Sequence, residues 1–123
     1  MSEPVINIDV QTRHLPEHKD AEEKFAFAYQ ITVTNKSDVT VQLLNRYWLI
    51  TDGNGHTSEV SGEGVVGKQP RIKPGESFQY TSGALIDTPV GSMQGYYEME
   101  TEDGSTFRAN INAFSLSVPN SLH

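Results

Sequence analysis

The chain has 123 residues, 36% hydrophobic and 20% charged, and its sixteen acidic against nine basic side chains give a formal charge of −7. That length suits one domain over residues 1–123, able to bury roughly two-thirds of the surface its unfolded chain exposes, and the negative balance repels phosphate backbones and anionic bilayers, which argues against nucleic-acid and membrane partners. There is no cysteine, hence no disulfide framework and no thiolate chemistry; with no signal-like opening and no apolar run of spanning length, the expectation is a cytoplasmic protein.

Five Phe, five Tyr and one Trp must supply much of the core, a composition that suits sheets. Ile6, Ile8, Val10 and Thr12 alternate with polar neighbours as a first half-buried strand. Residues 14–24 read as a polar loop around Pro16, with a helical turn allowed near Asp20–Glu23. Within that loop His14, Glu17 and His18 have the H-x-x-E-H spacing of one zinc-peptidase class, but Pro16 would break the helix this spacing needs and no third ligand follows. An exposed loop is the preferred reading. Phe25, Phe27, Tyr29, Ile31 and Val33 then form the most regular strand, closed by the turn residues Asn35-Lys36-Ser37-Asp38, and the chain returns through Val39–Asp52. Leu43, Leu44, Tyr47, Trp48, Leu49 and Ile50 make the returning strand apolar on both faces, which predicts a central position with a bulge near Asn45-Arg46.

Asp52-Gly53-Asn54-Gly55 predicts a type I′ hairpin turning on Asn54-Gly55, followed by a returning strand over His56–Val60. A calcium loop would require further oxygen ligands at set positions and flanking helices. Gly62, Gly64 and Gly67 have the G-x-G-x-x-G spacing that lets a backbone approach a pyrophosphate ahead of a helix. The residues that follow, Lys68-Gln69-Pro70-Arg71-Ile72-Lys73-Pro74-Gly75, cannot start such a helix, which removes the dinucleotide fold. What stays is a looser anion loop, with backbone amides of residues 62–67 and Lys68, Arg71 and Lys73 as cations. The plainer reading of the same residues is a flexible inter-strand loop.

Glu76–Ala84 resumes alternation with Phe78 and Tyr80 facing together; Tyr80, Thr81 and Ser82 bring hydroxyls but no His or Asp at triad spacing. Leu85–Gly91 reads as a loop. In the strand Met93–Glu102, Tyr97 and Met99 share one face, and Tyr96, Glu98, Glu100 and Glu102 the other. Carboxylates at alternate positions lie about 7 Å apart, too far to hold one ion without neighbouring strands, so they read as a solvated face. After Asp103-Gly104 the last strand, Thr106–Val118, changes phase between Phe107-Ala109-Ile111 positions and Phe114-Leu116-Val118 positions, which predicts a bulge or a crossing near Asn112. Residues 1–3 and 119–123 are expected to be loose ends.

Seven or so strands without a convincing helix predict an all-β, two-layer antiparallel sandwich, immunoglobulin-like or fibronectin type III-like, with Trp48 at its centre. The runs VQLLNRYWLITDGNGHTSEVSGEGVVGKQP, FQYTSGALIDTP and GSMQGYYEM resemble the bacterial ApaG family over nearly the whole chain. The resemblance implies the same sandwich. It also implies a family linked with cobalt and magnesium tolerance and with a gene neighbour that hydrolyses diadenosine tetraphosphate. ApaG-like domains occur within an F-box protein and a polymerase delta-interacting protein, which implies a role in binding other proteins. The resulting expectation is a non-enzymatic module, without cofactor or resident metal, that binds another protein through an edge strand or loop face; a sheet edge also offers a route to a homodimer. The alternative is binding of phosphate, pyrophosphate or a dinucleoside polyphosphate at the glycine loop 62–67.

Overall fold

The computed structural model describes residues 3–16 and 24–119; the expected turn at Asp20–Glu23, the Glu17 and His18 pair and the outermost residues of both ends lie outside them. Eight strands follow in order: β1 (Ile6–His14), β2 (Phe25–Asn35), β3 (Val41–Asp52), β4 (Thr57–Glu63), β5 (Arg71–Ile72), β6 (Ser77–Ile86), β7 (Val90–Thr101) and β8 (Thr106–Ser117). They form two antiparallel sheets packed as a sandwich, β1-β2-β6 against β4-β3-β7-β8, with β5 on the same edge of β3 as β4. Among the described residues there is no helix.

The alternation seen in the sequence is the one the sheets use. Phe27, Tyr29, Ile31 and Val33 of β2 and Leu43, Trp48, Tyr97 and Met99 of the facing sheet are buried together in one core, while Tyr96 and Glu98 lie on the outer face of β7. β3 is central, as its two apolar faces require, and its bulge falls at Leu44, one residue before the predicted place. The phase change in β8 is a bulge at Asn112-Ala113 opposite Gln94, which keeps Ile111 and Leu116 on the core side of one strand. Two readings are corrected. Arg71 and Ile72, read as loop, pair with Gln42 and Val41 because Ile72 is a core residue, only 2% exposed. Leu85–Gly91, read as a loop, narrows to residues 87–89: strand pairing continues to Ile86 and resumes at Val90.

Two polar contacts fasten this apolar core. Asn35, wholly buried at the end of β2, donates from Nδ2 to the carbonyls of Val39 and Ile72 and accepts at Oδ1 from the Ser37 amide and hydroxyl, so the β2–β3 turn and β5 hang on one side chain. Across the sandwich, the Tyr80 hydroxyl of β6 pairs with the Tyr97 hydroxyl of β7. Burial pushes both phenols well above their usual range, so both stay protonated and one donates to the other. Tyr80→Phe would leave the Tyr97 hydroxyl buried without that partner, an expected loss of about 1–3 kcal/mol. In a double-mutant cycle by urea denaturation, adding Tyr97→Phe should then cost less than Tyr97→Phe alone.

Candidate functional site

The glycine motif straddles the end of β4 and the loop to β5. β4 runs past the predicted Val60 to Glu63, so Gly62 is a strand residue opposite Arg46. The Arg46 guanidinium lies over it: a Cβ at Gly62 would meet Nη1 and Nη2 at 3.1 Å. From there Nη1 donates to the carbonyls of Glu63 and Gly64, each at 3.0 Å. Gly64 has φ 62, and a Cβ on it would fall 2.2 Å from the Lys68 carbonyl oxygen, so only glycine fits. Its amide donates to the Leu44 carbonyl at 2.7 Å, an acceptor freed from the β7 ladder by the β3 bulge. The Val65 and Lys68 amides donate to each other's carbonyls at 2.8 and 2.9 Å, around a tight turn in which Val66 (φ 44) and Gly67 (φ 79) are both left-handed. Val65 itself is fully buried. The Gly64 and Val65 amides of the motif and the Lys68 amide after it are thus committed to internal acceptors, and an anion would have to displace those bonds.

The cations do not gather around it. Lys68 is exposed on the turn, Arg71 sits on β5 in a small hollow with Gln42, Glu100 and Glu102, and Lys73 begins the next turn, where its amide meets the Glu76 carboxylate. Glu98 accepts from Asn45 and stands opposite Arg108. Among the described residues no three His, Asp or Glu side chains lie close enough to hold a metal ion. His14 rests against the Phe27 ring, 5.4 Å between centroids. A hollow of ≈ 560 Å³ lies at one end of the sandwich between Pro4, Val39 and Phe107, rimmed by Glu3, Asp38, Glu102 and Asp103.

The most exposed regular element is β4. Every residue from Thr57 to Glu63 is exposed except Gly62, which is intermediate. The reason is a mismatch of widths: β1 packs beside β8 on one side of the sandwich, but the smaller sheet ends at β6, so β4 projects past it. Hydrogen-bond alternation fixes which backbone groups are used. The Asp52 amide bonds His56 and the Gly64 amide bonds Leu44, so Ser58, Val60 and Gly62 point their backbone groups at β3, while those of Thr57, Glu59, Ser61 and Glu63 point outward from the edge.

The family profile described as ApaG domain matches residues 16–101. The chain belongs to the ApaG family. It is 52% identical to Protein ApaG of Enterobacter sp. (strain 638) over 121 residues, covering 98% of this chain and 97% of that one. It is 50% identical to Protein ApaG of Salmonella newport (strain SL254) over 124 residues, covering 100% and 99%. A crystal structure of a Bordetella pertussis relative superposes with a TM-score of 0.91 at 39% identity, covering 96% of this chain and 97% of that chain. The ApaG resemblance of the three sequence runs and the sandwich it implied are therefore correct for this protein.

In this ApaG chain the residues that organise the region are ones the motif does not contain. Arg46 and the Leu44 carbonyl hold the glycines from a neighbouring strand. Their only trace in the sequence was the interrupted alternation of β3. The β3–β4 turn also departs from expectation. Gly55 alone has positive φ, 86°, because Asp52 Oδ1 accepts the amides of Asn54 and His56 at 2.8 and 3.0 Å and holds Asn54 in an ordinary conformation. The type I′ geometry occurs instead at Val66-Gly67. Partial burial pushes the Asp52 carboxyl up, but those amide bonds and the imidazole of His56 outweigh it, so its pKa lies below the usual 3.8. A lowered folded value stabilises the protein above the unfolded carboxylate pKa and is lost as pH falls through the folded one. Asp52→Asn keeps the acceptor oxygen without the titration, so its urea midpoint should fall less steeply than wild type below about pH 4.

Proposed function

We propose that this ApaG protein is a non-catalytic binding module that takes an extended segment of another protein as an added strand along β4. The observation that carries this is the outward backbone of Thr57, Glu59, Ser61 and Glu63, on a strand that projects beyond the smaller sheet. Such an edge is a template for main-chain pairing. The glycine loop serves the same end: with Gly62 under Arg46 and Gly64 bonded to Leu44, the far end of β4 is clamped to β3, while Asp52 clamps the near end. A rigid edge loses less conformational entropy when a partner docks.

Ser61→Pro tests it. Ser61 N–H points away from β3, so proline there removes an edge donor without removing a bond to β3. Affinity capture from extract with wild type should retain a partner that Ser61→Pro loses, with circular dichroism spectra of the two proteins unchanged. Equal capture by both would overturn the reading.

A further inference from the structure

The edge of β4 also carries a chemistry that selects its occupant. Its two faces differ. On the outer face stand Glu59 and Glu63, four residues apart with Ser61 between them. Glu59 accepts a hydrogen bond from the Tyr47 hydroxyl at 2.9 Å, which fixes its carboxylate, and among the described residues neither glutamate is in an ion pair. On the inner face, Val60 is opposite Trp48 in register yet 42% exposed, because nothing from the smaller sheet reaches it. The hollow of ≈ 250 Å³ at the start of β4 is polar: Lys24, Asp52, His56 and Asp87 line it beside Ile50 and Ile86.

We propose that the segment docking on β4 alternates basic and apolar residues. Resting on the reading of β4 as the docking edge, this follows from strand geometry. Side chains of an added strand alternate between the faces. Those on the outer face stand next to Glu59 and Glu63 and are complementary if basic; those on the inner face cover the exposed Val60 side chain and are complementary if apolar. A second copy of this chain fits less well. Antiparallel self-pairing about Val60 sets Glu59 against Ser61 and Glu63 against Thr57, with no opposite-charge pair. Pairing about Ser61 sets Glu59 against Glu63. In either register two chains of charge −7 must approach each other.

The probes are two short labelled peptides, one alternating valine with lysine and the other valine with glutamate, titrated by fluorescence anisotropy. Wild type should bind the lysine peptide about tenfold or more tightly than the glutamate peptide, with affinity falling as salt rises. The double variant Glu59→Lys, Glu63→Lys should reverse that preference, and Ser61→Pro should weaken binding of either peptide. Equal affinity of wild type for the two peptides, or a preference that the charge reversal leaves in place, would overturn the proposal. Both substituted glutamates are exposed surface residues, so this arm does not depend on Ser61→Pro folding. If a captured cellular partner is lost with Ser61→Pro but retained by the charge-reversed variant, edge docking stands and the basic segment falls. A wild-type dimer in sedimentation equilibrium that Ser61→Pro dissociates would assign the edge to a second copy, and would overturn it too.

Discussion

Alanine in place of Gly95 is expected to destabilise the protein by about 3 kcal/mol or more, at the upper end of what overpacking costs. Gly95 lies in the middle of β7, opposite Trp48 on one side and Ile111 on the other, beside the β8 bulge. A Cβ there would fall 1.9 Å from the Tyr47 carbonyl oxygen, 2.9 Å from its carbon and 3.1 Å from Trp48 Cα. Carbon and oxygen meet at about 3.3 Å even in close Cα–H···O contacts. All three obstacles are backbone of the central strand, so no side chain can swing aside and β7 must lift from β3. Urea denaturation measures the loss. Gly83→Ala is the control: its Cβ would meet the Phe27 oxygen at 3.4 Å, an ordinary contact, and should change stability by less than about 1 kcal/mol.

Trp48→Ala is expected to cost about 3–5 kcal/mol. Trp48 is 2% exposed and joins the sheets through its ring contact with Tyr29 of β2 at 5.4 Å, while within its own sheet it meets Phe114 of β8 at 5.8 Å and Tyr97 of β7 at 6.4 Å. Its indole Nε1 has no hydrogen-bond partner among the described residues. The energy therefore resides in packed volume, and Trp48→Phe, which keeps a ring and forfeits no hydrogen bond, should lose clearly less than Trp48→Ala. Since this is the sole tryptophan, circular dichroism rather than indole fluorescence must follow the unfolding. Equal losses in the two variants would show that the indole makes a specific polar contact instead.

The two expectations draw on different depths of information. The importance of Trp48 was legible from the apolar run around it. That of Gly95 was not, because its neighbour is the Tyr47 carbonyl, set against it by pairing between strands far apart in the chain. The candidate site divides in the same way. Gly62, Gly64 and Gly67 stood out by spacing, and the backbone is indeed left-handed at Gly64 and Gly67, though not at the strand residue Gly62. The spacing alone could not show that Arg46, Leu44 and Lys68 already occupy its hydrogen-bonding groups.

Side-chain alternation is a local property of an extended backbone, two residues to a repeat, so the run of residues was enough to set the longer strands, their inward faces, an irregularity in β8 and the all-β sandwich, but not β5, whose two residues are too few to show a period. Family membership was legible for a similar reason, since it is carried by contiguous runs. Which strand lies at an open edge, which carbonyls meet the glycine amides and which cations stay apart depend on pairing between distant segments. Folding settles these through hydrogen bonds and the unequal widths of the two sheets, and neither leaves a period in the sequence. β4 shows the difference best. Its residues read as an ordinary returning strand, and only a three-stranded sheet set against a wider one leaves that strand projecting beyond the sandwich.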